Sequence, residues 1–173
     1  MLALNLLIFG CLVLITYQDF KLRAVYWWIF PLLLISLCSY KSMETGGRQM
    51  LDDLLHNISF LGSQLLFLIG YFSLKERKWV NIFEHYLGLG DLFFLISITV
   101  YLSFLNYVLF YLLSLFAIVF FTVVTHAFIK NRNPKIPLAG YQAALFGILI
   151  LADQLSTDIN ILSDLGLVKF LNW

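Results

Sequence analysis

Between Asp91 and Lys130 the chain carries no aspartate, glutamate, lysine or arginine, and Asn106 is its one obvious polar break. About 20 apolar residues suffice to carry a helix across a bilayer core of about 30 Å. Lipid offers no partners for backbone N–H and C=O groups, so runs of this length are satisfied by closing those bonds within helices. Composition agrees with a membrane class: 61% of residues are hydrophobic and 12% charged, against about 25% charged in soluble domains. The expected fold is all-α, a polytopic bundle of six transmembrane helices forming a single domain over residues 1–173.

Several function classes drop out at once. A formal net charge of +1, with no basic stripe interleaved with aromatics, argues against a nucleic-acid partner. Cys11 and Cys38 lie inside apolar runs without Cys-x-x-Cys spacing, so they read as small buried hydrophobes and not as zinc ligands or a disulfide. The opening Met1-Leu2-Ala3-Leu4 lacks a basic n-region and the run reaches Tyr17 without a small-residue cleavage site, which reads as a retained span.

The first run, Leu2 to Tyr17, would rise only about 24 Å as a helix. It is expected to continue through Gln18 and Asp19, setting both at the edge of the hydrocarbon. A second helix is predicted from Val25 to about Tyr40, opening on the interfacial aromatics Tyr26-Trp27-Trp28 and kinked at Pro31. Lys41 to Met50 reads as a polar loop, and Asp52-Asp53 as the first turn of a third helix ending near Leu74. His56 and Asn57 read as interfacial polar residues without a catalytic role. Ser59-x-x-x-Ser63 reads as a helix-contact face, and Gln64 as a side chain needing a partner.

Lys75-Glu76-Arg77-Lys78 forms a basic loop, and Trp79 to Leu87 a segment along the interface. A fourth span is predicted from Asp91 to about Leu105 and a fifth from Tyr107 to Ile129, with a tight turn at Asn106. After the basic loop Lys130 to Lys135, a sixth span opens at Ile136-Pro137-Leu138-Ala139-Gly140-Tyr141 and ends near Ala152. Its small residues, Gly140-x-x-x-Ala144 and Ala143-x-x-x-Gly147, suit close helix packing. The tail, 153–173, has roughly helical apolar spacing and is expected to rest on the membrane surface as an amphipathic segment.

Basic residues set the orientation. With the N-terminus outside, the inner segments hold Lys21, Arg23, Lys75, Arg77, Lys78, Lys130, Arg132 and Lys135. The outer ones hold Lys41, Arg48 and Lys169, which together accounts for all 11. That is the positive-inside arrangement. It also brings Asp19, at the end of helix one, and Asp91, at the start of helix four, to the same cytoplasmic face. Gly88 and Gly90, flanking Leu89 just before Asp91, have no Cβ to obstruct a turn or a close helix approach.

Each acid has a plain explanation: Asp19 as the end of a span, Asp91 as a helix cap. Their coincidence at one face favours function, since ionisable groups in a membrane are costly. Two neighbouring carboxyls share a proton, because both cannot ionise cheaply. The charged one can then deprotonate a water while the neutral one protonates a carbonyl.

Asp19-x-Lys-x-Arg-x-Val and Gly88-x-Gly-Asp91 resemble the paired aspartate motifs of the type IV prepilin peptidases and archaeal preflagellin peptidases, membrane-embedded Gly-x-Gly-Asp aspartic proteases. Lys135-Ile136-Pro137-Leu138-Ala139-Gly140 is similar to the Ile-Pro-Phe-Gly-Pro segment opening their last helix. The resemblance implies an aspartic endopeptidase in the cytoplasmic membrane. It would cut the basic leader from a pilin-like or flagellin-like precursor at the cytoplasmic face, with Asp19 and Asp91 catalytic and no metal or cofactor. Gly88, Gly90, Lys21 and Arg23 would be supporting residues. Val25-Tyr26-Trp27 replaces the Ile-Pro-Asn of many relatives, and the last motif lacks its Gly-Pro, departures that bear on substrate identity. The methylating domain with paired Cys-x-x-Cys motifs has no counterpart, which implies peptidase activity without N-methylation. His85 and His126 near the same face lack ligand spacing and read as interfacial. The competing reading is a non-proteolytic transporter or assembly scaffold retaining this architecture, since transporters also carry intramembrane acids. The two acids lie toward one face and the chain shows no visible inverted repeat, which favours the protease.

Overall fold

The computed structural model describes residues 1–77, 79, 88–128, 137–155 and 160–164. Its regular structure among these residues is entirely helical: α1 (Leu2–Leu22), α2 (Ile29–Thr45), α3 (Gly47–Glu76), α4 (Leu89–Ile98), α5 (Phe104–Phe128) and α6 (Leu138–Leu155). Four of them, α1, α3, α5 and α6, are long and apolar enough to cross a membrane. Their outward faces carry large apolar side chains: Phe116 is 74% exposed, Phe67 73% and Leu6 66%. Exposed apolar area on that scale is what a helix turned toward lipid presents.

The core lies where α1, α2, α4 and α6 meet, around Ile15, Leu33, Phe94, Ala143 and Phe146. α1 lies along both α6 and α2, and α4 is wedged between α2 and α6. Gly147 lies in the α1–α6 seam, where a Cβ would meet Leu12 Cδ1 at an ordinary 3.7 Å. Ala143 is buried in the same seam. The small residues read from α6 therefore face a helix. Those of α3 do not: Ser59 and Ser63 are exposed, and their hydroxyls bond to Leu55 O and Phe60 O of their own helix.

Helix ends differ from the sequence expectation in ways that matter. α1 does run on through Asp19 as expected, reaching Leu22 and stopping at Arg23, which is left-handed at φ 55°, with its N–H on Asp19 O at 3.1 Å. Gln18 Oε1 accepts from Tyr26 N at 3.0 Å, folding the linker back over the last turn. α2 begins at Ile29, not Val25, so Pro31 falls in its first turn. There its missing N–H would have had no intrahelical partner, and no kink follows. Pro31→Ala is therefore expected to change stability by less than about 1 kcal/mol in thermal unfolding, whereas removing a helix-interior proline would relieve about 3 kcal/mol.

The expected loop at 41–50 is absent. α2 continues to Thr45 and α3 starts at Gly47, joined by Gly46 alone at φ 86° and ψ 154°. Only glycine adopts that region readily. Lys41 is consequently not an outer-loop charge but a fully buried one. Asp52 and Asp53 lie beyond the first turn of α3.

α4 is also shorter than the predicted span 91–105. It has ten residues, a rise of about 15 Å, and breaks at 99–103 ahead of Asn106 rather than at it. Asn106 instead lies in the first turn of α5, its amide on Ser103 Oγ at 2.7 Å. Residues 160–164, expected on the membrane surface, are packed into the bundle: Ile161 is 1% exposed, and its carbonyl accepts from Ser103 N at 3.2 Å. The rest of the tail beyond Leu155 lies outside the described residues.

Candidate active site

Asp19 faces inward from the last turn of α1, only 9% exposed. Its Oδ2 accepts from the backbone N–H of Gly140 at 2.6 Å. That amide belongs to the first turn of α6, where N–H groups have no partner inside the helix. The fit is tight: a Cβ on Gly140 would lie 3.1 Å from Asp19 Cβ, Asp19 Oδ2 and Phe20 Cδ2. Thr16 Oγ1 reaches Gly140 O at 3.4 Å, and the Phe20 ring meets Tyr141 edge-on at 4.7 Å. Two successive turns of α1 are thus held against the opening of α6.

Asp91 occupies the first turn of α4. One contact of its carboxylate is local: Oδ2 accepts from Gly88 N at 3.2 Å. The cap-like role foreseen for it is met in that respect, although Gly88 and not Asp91 is the N-cap residue. Its other contact crosses the bundle, to the backbone N–H of Ala139. Asp19 is thus held on the Gly140 amide, and Asp91, on a helix far away in sequence, comes within reach of the neighbouring Ala139 amide. Each carboxylate lies within electrostatic reach of the other.

The glycines act differently from the way their spacing implies. Neither Gly88 nor Gly90 has positive φ. A Cβ on Gly88 would stand 2.7 Å from Asp91 Oδ2, so this glycine makes room for the carboxylate. A Cβ on Gly90 would meet only Phe30 Cζ, at an ordinary 3.8 Å.

Among the expected supporting cations, Lys21 turns away: its Nζ donates to Tyr17 OH at 2.6 Å and lies over that ring. Arg23, capping α1, is the cation whose charge reaches Asp19. Pro137 and Leu138 of the third stretch lead into the anchoring amides, while Lys135 and Ile136 lie outside the described residues. So do His85, most of 79–87 and the side chain of His126. Among the described residues no three of His, Cys, Asp and Glu gather as a metal site.

An apolar groove of about 730 Å³ runs between α1 and α6 and reaches Phe20, next in sequence to Asp19, with Leu12, Thr16 and Phe20 on one wall and Ala144 and Gly147 on the other.

Sequence reasoning missed the polar cluster on the far side of the bundle. Lys41 Nζ pairs with Asp53 Oδ2 at 2.8 Å and donates to Tyr101 O at 3.1 Å and Leu162 O at 2.7 Å. Asn57, also fully buried, donates to Thr99 O at 2.8 Å and Leu102 O at 2.9 Å. These side chains satisfy the carbonyls left open where α4 breaks, an obligation that lipid could not meet. The signal was present in the spacing of Asp53 and Asn57, four residues apart on one helical face.

Comparison of the chain with known protein families, with curated proteins and with solved structures finds no match.

Proposed function

We propose that the chain is an intramembrane aspartic endopeptidase that removes the leader of a pilin-like or flagellin-like precursor at the cytoplasmic membrane face, without N-methylation. The supporting observation is the meeting of Asp19 and Asp91 at adjacent amides of α6. One carboxylate, ionised, takes a proton from a water. That water attacks the scissile carbonyl, whose oxygen is protonated by the neutral partner. The tetrahedral intermediate then collapses: the carboxyl that took the water's proton gives it to the leaving amine as the C–N bond breaks, the other carboxylate takes back a hydroxyl proton, and the dyad is again singly protonated. In this reading the Gly140 amide holds the Asp19 carboxylate while the Ala139 amide lies within reach of Asp91, which sets both acids at the opening of α6.

In this reading the N-terminus is outside in a six-crossing topology, α4 and the 99–103 connector together making the fourth crossing. The acids then face the cytoplasm, where Lys21, Arg23, Lys75 and Arg77 also lie. The test is reconstitution in liposomes with a precursor bearing a basic leader before an apolar helix. Mass spectrometry should find one cut between leader and helix. An intact precursor across several such leaders would favour a transporter or scaffold.

A further inference from the structure

Lys41 is a fully buried cation remote from the acids, and nothing in the proposed chemistry uses it. Its partners belong to elements that matter to the acids. Tyr101 O lies in the connector that ends α4, and Leu162 O in the segment 160–164. That segment is tied to α6 through Ile161 N on Asp153 Oδ1 at 3.0 Å, and to the start of α5 through Leu105 N on Asp164 Oδ1 at 3.1 Å. Asn57 takes two further carbonyls of the connector. α4 is held along its length as well, Ser97 Oγ bonding to Phe30 O of α2 at 3.2 Å.

We propose that Lys41 is a positioning residue: by joining the broken end of α4 to the segment anchored on α6, it fixes the depth of α4 and so keeps Asp91 on the Ala139 amide. α4 is short and rigid, so displacement of its Ile98 end is transmitted to Asp91 at the other. Asp19 sits on α1, which supplies none of the partners of Lys41, so its bond to Gly140 is expected to respond less to Lys41 than the placement of Asp91 does. The two amides therefore report separately on the two acids.

The experiment is amide hydrogen exchange at Ala139 and Gly140, followed by NMR on the detergent-solubilised full chain, for wild type and Lys41→Met. Exchange at Ala139 is expected to accelerate by about tenfold or more while Gly140 stays within about twofold. Unchanged exchange at Ala139 overturns the proposal, and so does equal acceleration at both amides, which marks general loosening. Lys41→Met strands Asp53, so the paired variant Lys41→Met/Asp53→Leu, which removes both charges, is measured alongside and is expected to show the same selective effect. The kinetic arm rests on the peptidase reading: kcat should fall about tenfold or more with KM nearly unchanged. If wild type cleaves nothing, that reading fails and the exchange arm alone decides the role of Lys41.

Discussion

Asp91→Asn should abolish leader cleavage, lowering kcat by at least about 10³-fold, the scale of losing a positioned acid or base. Asparagine matches the shape of the carboxylate but cannot take a proton from water. Its amide oxygen can still accept from Gly88 or Ala139, so α4 should remain docked and the thermal midpoint should change little. Asp19→Asn should be equally silent, since a dyad works only when one member is ionised and the other is not. The double variant should be no worse than either single one, because groups acting as a unit lose their function once. Cleavage assays on the three purified variants decide this, and retained activity in either single variant removes that residue from the mechanism.

Gly140→Ala is the second large effect expected, and it arises from packing alone. The added methyl would stand 3.1 Å from Asp19 Cβ and Phe20 Cδ2. Asp19 Cβ is close to the α1 backbone and cannot swing aside as the tip of a long side chain would, so the seam must give by a few tenths of an ångström. Either α1 separates from α6 or the Asp19 carboxylate leaves the amide. Misplacement of a reacting group by about 1 Å can cost about 10²-fold in rate, and overpacking a seam of this kind costs about 1–3 kcal/mol. Gly147→Ala is the control, in the same helix and seam: its methyl would meet Leu12 at 3.7 Å, ordinary contact. Cleavage and thermal unfolding measured on both should separate them, with activity lost in the first and kept in the second.

The stretches that carry the acids and open α6 stood out in the chain as Asp19-x-Lys-x-Arg, Gly88-x-Gly-Asp91 and Pro137-Leu138-Ala139-Gly140, because two carboxylates at one membrane face and the resemblance of these stretches to known motifs marked them. The means of joining them was not legible. Backbone N–H groups hold both carboxylates, and every residue but proline has one, so no residue type announces the anchoring amides. The break after Ile98 was hidden for a related reason. Thr99-Val100-Tyr101-Leu102-Ser103 contains neither glycine nor proline and reads as uninterrupted span, and what permits the break is Lys41 and Asn57 on other helices. Lys41 itself was taken for a loop charge because Gly46-Gly47 looks like a flexible turn. The chain instead reverses at Gly46 alone, leaving the lysine inside a helix. Local pattern located the helices well in their interiors and poorly at their ends, where tertiary partners decide.

The one-residue reversal at Gly46 also bears on how this protein reaches its membrane. An apex without slack makes α2 and α3 a helical hairpin, which in the proposed six-crossing topology would enter the bilayer as one unit. Lys41 and Asp53 lie on opposite arms of that hairpin, 2.8 Å apart. With the apex bound for the far side, as the proposed orientation has it, two opposite charges would cross the hydrocarbon as a neutral couple. Pairing during insertion would spare each the cost of travelling alone, so the contact that later braces the folded bundle would also ease its assembly.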